Sequence, residues 1–349
     1  MQLNIPGHTI GEGHPIFLVA EMSANHLQNF DRAVAIIRAA KKAGADAIKL
    51  QTYTPGTMTL DCNNEYFQIK QGTLWDGTTL YKLYQQAYTP WEWFPELQRV
   101  AQEEGLVFFS AAFDPTAVDF LEELGVPFHK VASFEITDVA LVEKMAKTGK
   151  PMIISTGIAS LSDIELAVET CRKAANNNLI LLKCTSAYPA PIEEANVLHI
   201  PLFQETFGVL AGLSDHTPGT TVPILSVGLG ARMIEKHFTL DRASGGVDAA
   251  FSLEPDEFTQ MVQAVRQAEK ALGNPFFSVN EKLRQKGKHF SRSLFVVKEV
   301  PEGEVFSREN VRSIRPGNGL HPKFLDQVLG KKAKRAIPKG TPLDWDLVE

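Results

Sequence analysis

Cysteine is scarce in this chain. Its three copies, Cys62, Cys171 and Cys184, are widely spaced and form no CxxC pair, which argues against a disulfide framework and a thiolate zinc site. No apolar run is long enough to span a bilayer. The opening MQLNIPGHTI has neither a basic n-region nor an apolar h-region, so no secretory signal is expected and a reducing cytoplasm is the expected home. Charge of one sign is also missing. With 22% charged residues and a formal net charge of -6, the chain has no basic excess to draw nucleic acid or an anionic membrane. Any anionic ligand must therefore be held by Lys and Arg placed locally.

Hydrophobic residues make up 44% of the 349, enough for one large domain and a small second one. Short apolar runs alternate with helical patterns, and the runs predict strands over Phe17–Glu21, Ala47–Tyr53, Val107–Phe113, Phe128–Ser133, Met152–Gly157, Leu179–Ser186, Val209–His216 and Ala231–Phe238. Eight strands buried on both faces, evenly interleaved with helices, predict an α/β fold of the (β/α)8 TIM barrel type. An open doubly wound sheet would need a break in that rhythm to mark its switch point, and none is visible. Helix punctuation supports the reading: Asp114 as N-cap, Pro115 at the first helical position and Gly125 past the end. Ser162 and Glu165 have capping-box spacing, ahead of an apolar stripe at Ile164, Ala167, Val168 and Cys171. A long aromatic, turn-rich stretch from Asn63 to Trp91 interrupts the barrel and reads as a lid or specificity element. The domain expectation is a barrel over 1–273, a polar linker over 274–290 and a small β-rich domain over 291–349.

The expected strand ends carry ionisable groups that strand propensity would not place there. Lys49 and Lys130 sit in buried strands, where an ammonium is costly unless it meets an anion. With Ser133, Ser155, Ser186 and Ser214 they point to a phosphate or carboxylate site. His216 and His237 end neighbouring strands and could share one divalent ion. A shell left open to water and substrate suits Mn2+ or Mg2+ more than structural zinc. The G-x-G at Gly228–Gly230 precedes a strand, so it is not a dinucleotide fingerprint.

At these residues the chain resembles the sialic acid synthase family. The matching segments are AEMSANH, AGADAIKLQTY, KVASFE, IISTGIAS, LLKCTSAYP, GLSDHTPG, IEKHFTLD and FSLEPDEF, and the tail resembles the family's antifreeze-like (β-clip) domain through SLFVVKEVPEGEVF and IRPGNGLHP. The insertion, with GTLWDGTTLYKLY and TPWEW, resembles the branch acting on a 2,4-diacetamido-2,4,6-trideoxy-L-altrose. The resemblance implies condensation of phosphoenolpyruvate with an N-acetylated amino sugar. It implies His216 and His237 as metal ligands beside Glu235, and Lys49, Lys130, Ser133, Ser155, Ser186 and Ser214 as holders of phosphoenolpyruvate. Glu21, Gln51, Tyr188 and Asp248 would meet the sugar. Arg315 would reach in from a partner subunit of a domain-swapped homodimer. Glu21 or Glu235 would carry the proton of the attacking water. Two departures stand out: Ser186 lies where some relatives carry Asn, and ASGGV within 241–247 has no close counterpart. Rival readings are the same reaction giving N-acetylneuraminic or legionaminic acid, a non-catalytic saccharide- or ice-binding protein, and an aldolase using Lys183 as a Schiff base.

Overall fold

The structure, a computed structural model, describes residues 1–70, 72–273 and 280–349. The chain divides into two compact units, Met1–Gly273 and Asn274–Glu349. In the first, a hairpin of β1 (Gln2–Ile5) and β2 (His8–Gly11) leads into eight parallel strands. These are β3 (Phe17–Glu21), β4 (Ala47–Thr52), β5 (Val107–Ala112), β6 (His129–Val131), β7 (Met152–Ser155), β8 (Leu179–Cys184), β9 (Leu210–Asp215) and β10 (Met233–His237). They close in sequence order, β10 pairing back onto β3. All eight expected strands are present, several trimmed at their C-terminal ends, where the chain bends outward into the loops.

Helices follow each strand: α1 (Phe30–Lys42), then α2 (Pro55–Met58), α3 (Leu80–Ala87) and α4 (Phe94–Glu103), then α5 (Pro115–Leu124), α6 (Val139–Ala146), α7 (Leu161–Lys173), α8 (His199–Phe207), α9 (Thr221–Gly228) and α10 (Pro255–Leu272). Asp114 caps α5 by accepting from the N–H groups of Thr116 (2.8 Å) and Ala117 (3.2 Å), and Gly125 ends it at φ 73°. The cap of α7 corrects the sequence expectation. Ser160, not Ser162, is the N-cap, and its partner is Asp163, whose carboxylate accepts from Ser160 N–H at 2.9 Å. Ser160 has the extended backbone that a cap needs, whereas Ser162 already lies inside the helix. The stripe Ile164, Ala167, Val168 and Cys171 is buried as expected.

Alternation within the strands sorts the side chains. Outward positions such as Leu18, Ile48, Ile154 and Leu181 pack under the helices. Inward positions change character along the axis. At the base lie Phe17, Ala47, Phe109, Phe128, Ile153, Ile180, Leu210 and Met233, joined by Leu3, Ile5 and Ile10 of the hairpin, which plugs that end. Two or four residues further along the same rows come Glu21, Lys49, Lys130, Ser155, Cys184, Ser214, Glu235 and His237, all buried. The interior is apolar below and polar above, and the polar end is the C-terminal rim where barrels of this kind do their chemistry.

In the second unit, α11 (Glu281–Gly287) occupies part of the expected linker, and residues 274–279 lie outside the described residues. Beyond it, β11 (Ser293–Val296) and β12 (Val311–Ile314) pair antiparallel. Single bridges such as Val300–Ile337 and Ala333–Val348 complete a small β-rich body around Leu294, Val296, Phe306, Val311, Ile337 and Leu343.

Candidate active site

At the rim, β3, β4 and β10 bring three charged groups together. Lys49 Nζ lies 2.5 Å from Glu21 Oε2 and 3.6 Å from Glu235 Oε1. Ser214 donates to the same Glu235 oxygen at 3.0 Å. Two carboxylates around one ammonium, all out of water, cannot be equally ionised. Burial and the neighbouring Glu235 push Glu21 up to about 8 against the pull of Lys49. Burial would raise Glu235 as well, but Lys49, Lys130 and the Ser214 hydroxyl hold it below its ordinary value.

Lys130 is different. Its ammonium donates to the Val131 carbonyl at 2.9 Å and to Ser155 Oγ at 2.7 Å, and among the described residues no carboxylate lies within ion-pair distance. Burial accordingly depresses its affinity for a proton. Both lysines point inward as the sequence suggested, but Lys49 is ion-paired with Glu21 and Glu235, whereas Lys130 meets no carboxylate at ion-pair distance among the described residues.

Beside Lys130, the loops after β6, β7 and β8 converge. Gly157 N–H donates to Ser133 Oγ at 3.1 Å. A Cβ on Gly157 would fall 2.1 Å from Ser186 Oγ and 2.8 Å from Ser133 Oγ, so only glycine lets the two hydroxyls close around it. Hydroxyls, a backbone N–H and an ammonium gather here on adjacent loops, a donor set that suits an anion. Gly157 is a member that side-chain reasoning missed, because its contribution is made by the backbone.

The histidines end β10 and follow β9. Their ring centroids are 5.2 Å apart. His216 Nδ1 lies 3.0 Å from the Thr185 carbonyl and 3.7 Å from Cys184 Sγ, and the carbonyl fixes a proton on that nitrogen. His237 Nδ1 is buried without a hydrogen-bond partner, and burial and the cationic neighbourhood hold His237 neutral, well below its ordinary value. Burial works against a charge on His216, but Cys184 and the Thr185 carbonyl raise its proton affinity above the ordinary value, so a divalent ion held by the pair, with positions left open, would have to displace that proton. Among the described residues no three His, Cys, Asp or Glu side chains converge on such a position, so the protein's share would be this pair.

Next to the pair opens a cavity of about 520 Å³. Gln51, Glu135, Tyr188 and Asp248 line its strand side, Met58 of α2 borders it, and Ile69, Trp75, Leu80 and Leu83, with the polar Gln68, Thr73 and Tyr84, come from the insertion. Asp248 is buried and accepts from the Ser23 hydroxyl, and burial raises it. Tyr188 lies 4.6 Å from His216, ring to ring. Glu135 was not singled out from the sequence, although KVASFE contains it. One of its oxygens is buried and unpaired, and burial pushes its carboxyl up to about 7. Arg315 alone of the expected site residues lies in the second unit, exposed in the turn after β12. Lys183 faces outward from β8, donating to the Cys184 carbonyl and Thr185 Oγ1. It lines a second cavity of about 660 Å³ with Gly157, Leu161, Phe203 and Phe207, on the outer side of β8, whereas a Schiff-base role requires the rim interior.

Fold and site together define a barrel enzyme that holds a phosphate- or carboxylate-bearing substrate beside a paired-imidazole centre and a larger, half-apolar cavity. The chain belongs to the NeuB family, whose pattern matches residues 36–276, with a SAF domain at 291–349. It is 47% identical to the pseudaminic acid synthase of Helicobacter pylori over 96% of this chain and 98% of that one. It is 48% identical to the pseudaminic acid synthase of Campylobacter jejuni over 94% and 95%. Among solved structures it is similar to the sialic acid synthetase of Leptospira borgpetersenii in complex with citrate, with TM-score 0.74 and 31% identity over 82% of this chain and 95% of that chain.

Proposed function

We propose that this chain condenses phosphoenolpyruvate with 2,4-diacetamido-2,4,6-trideoxy-L-altrose to give pseudaminic acid and phosphate. The observation that carries the reading is the Lys130 ammonium, bonded to the Val131 carbonyl and the Ser155 hydroxyl and in no direct ion pair, beside Ser133, Gly157 and Ser186 and next to a cavity of sugar size. Likeness to relatives named pseudaminic acid synthase supports the choice of sugar. So does the apolar insertion wall, which suits a 6-deoxy, doubly acetamido sugar.

In this reading Lys130, Ser133, Ser155, Ser186 and Gly157 bind the enol phosphate, and Lys49 with Ser214 orients its carboxylate end. Gln51, Glu135, Tyr188 and Asp248 hold the open-chain sugar. Bringing C3 of the enol to the aldehyde carbon is the entropic part of the catalysis. His216 and His237 would hold Mn2+ or Mg2+, whose chemistry is Lewis-acid polarisation of the aldehyde oxygen. As C3 bonds to the aldehyde, water adds at C2, and the resulting tetrahedral carbon loses phosphate by C–O cleavage. Glu21 and Glu235, driven apart in proton affinity, divide the proton work. The ionised Glu235 takes the water's proton, and Glu21 supplies one to the new hydroxyl. Arg315 of a partner subunit would reach the sugar amide, making the working form a domain-swapped homodimer in the cytoplasm. The test is phosphate release from phosphoenolpyruvate across a panel of hexosamines, with and without chelator. Turnover only with N-acetylmannosamine or with the legionaminic acid precursor would replace this assignment.

A further inference from the structure

Two segments that stand apart in the sequence meet in space. Trp75, in the insertion, donates its indole Nε1–H to the carbonyl of Val247 at 3.0 Å. Val247 ends the ASGGV stretch, where Gly245 and Gly246 take φ of 74° and 123°, values open to glycine and strained for other residues. Those two residues turn the chain so that the Val247 carbonyl faces the indole, and the next residue is Asp248. Trp75 also packs 5.7 Å from Tyr188, ring to ring, and forms part of the cavity wall.

We infer that Trp75 is a specificity-determining residue, an apolar wall that selects sugars carrying a methyl group at C6 over those carrying a hydroxymethyl group. The inference rests on the reaction proposed above and names what in the chain chooses the sugar. The indole has one polar group, and Val247 already occupies it. A sugar hydroxyl brought against the ring would give up water and gain no partner, whereas a methyl loses nothing and gains contact. Of the insertion's other lining residues, Ile69, Leu80 and Leu83 offer no side-chain partner, Gln68 and Thr73 already donate to Asn63 and Asp76, and Tyr66 and Tyr84 carry the remaining polar groups. The same hydrogen bond ties the insertion to the loop that presents Asp248, so sugar affinity and wall position are set together.

The experiment compares kcat/KM for 2,4-diacetamido-2,4,6-trideoxy-L-altrose and its 6-hydroxy counterpart in wild type, Trp75→Leu, Trp75→Ala and Trp75→Phe. Trp75→Ala is expected to raise KM for the 6-deoxy sugar on the order of tenfold and to reduce the preference over the 6-hydroxy sugar by a similar factor. KM for phosphoenolpyruvate should stay unchanged. Trp75→Phe keeps the wall but not the tie, so it should retain the preference while raising sugar KM. Trp75→Leu, with a smaller apolar wall, should fall between the two. Equal losses with both sugars, or a parallel rise in KM for phosphoenolpyruvate, would mark a merely structural role and overturn the inference. Wild-type turnover with preference undiminished in Trp75→Ala would overturn the inference alone. Failure of the wild type with both sugars would remove the proposed reaction and this inference with it.

Discussion

Glu21 and Glu235 share one lysine and yet differ in proton affinity: at Glu235 the pull of Lys49, Lys130 and the Ser214 hydroxyl outweighs burial, whereas at Glu21 burial and the neighbouring Glu235 outweigh Lys49. Residues such as these decide the chemistry and can be replaced singly. His237→Ala removes half of the imidazole pair, so turnover should fall on the order of 10³-fold or more, with the melting temperature little changed; near-normal kcat would reject the metal role. His26 makes a pH prediction. It is fully buried, lies 3.0 Å from Thr89 Oγ1, and burial lowers it to about 4 from its ordinary 6.5. Folding therefore favours the neutral ring, and its contribution is complete above pH 6.5 and lost as pH falls toward 4. The loss amounts to roughly 3 kcal/mol. In His26→Gln, thermal melts between pH 6.5 and 5 should decline less steeply than in wild type. At this scale the sequence marked Lys49, Lys130 and the histidine pair as candidates, because charge in an apolar strand is visible in one dimension. Gly157 and Ser23 were not legible: one contributes a backbone N–H, the other a hydroxyl that matters only because Asp248 lies beside it.

Among the elements, the barrel strands were legible because double-sided burial makes each an apolar run. The loops after them were less so. The α7 cap fell two residues from its expected place, since hydroxyl and carboxylate spacing occurs there in two overlapping registers and only backbone angle separates them. The β1–β2 hairpin gave no signal, its four-residue strands being too short for a period to emerge. Close packing between strands gives a prediction. A Cβ on Gly212 of β9 would lie 2.3 Å from the Met233 carbonyl of β10, and backbone cannot yield there. Gly212→Ala should cost about 2–3 kcal/mol, read from the denaturant midpoint. Gly157→Ala, which crowds two serine hydroxyls, should instead raise KM for phosphoenolpyruvate about tenfold or more at nearly unchanged stability. An unchanged KM would take Gly157 out of that donor set.

For the whole molecule, the question is whether one site draws on two chains. His237→Ala and Arg315→Ala each spoil a different part of it. If Arg315 serves the neighbouring barrel, mixing the two inactive proteins under subunit exchange builds heterodimers with one intact site. Activity should return to about a quarter of wild type. If Arg315 serves its own barrel, mixing restores nothing. Nothing in the sequence alone could decide this, since a strand pattern is the same whichever chain's rim it faces.

The hairpin plug beneath the barrel has a kinetic consequence. A vessel closed at the bottom is filled and emptied through one neck. Lys130 and Ser155, almost wholly enclosed, lie below the roomier chamber where the insertion stands. In the reaction proposed above, a sugar seated in the upper chamber would bar the way down, so the enol phosphate is expected to load first. An unreactive sugar analogue should then inhibit uncompetitively against phosphoenolpyruvate, since it has nowhere productive to sit until the floor is occupied.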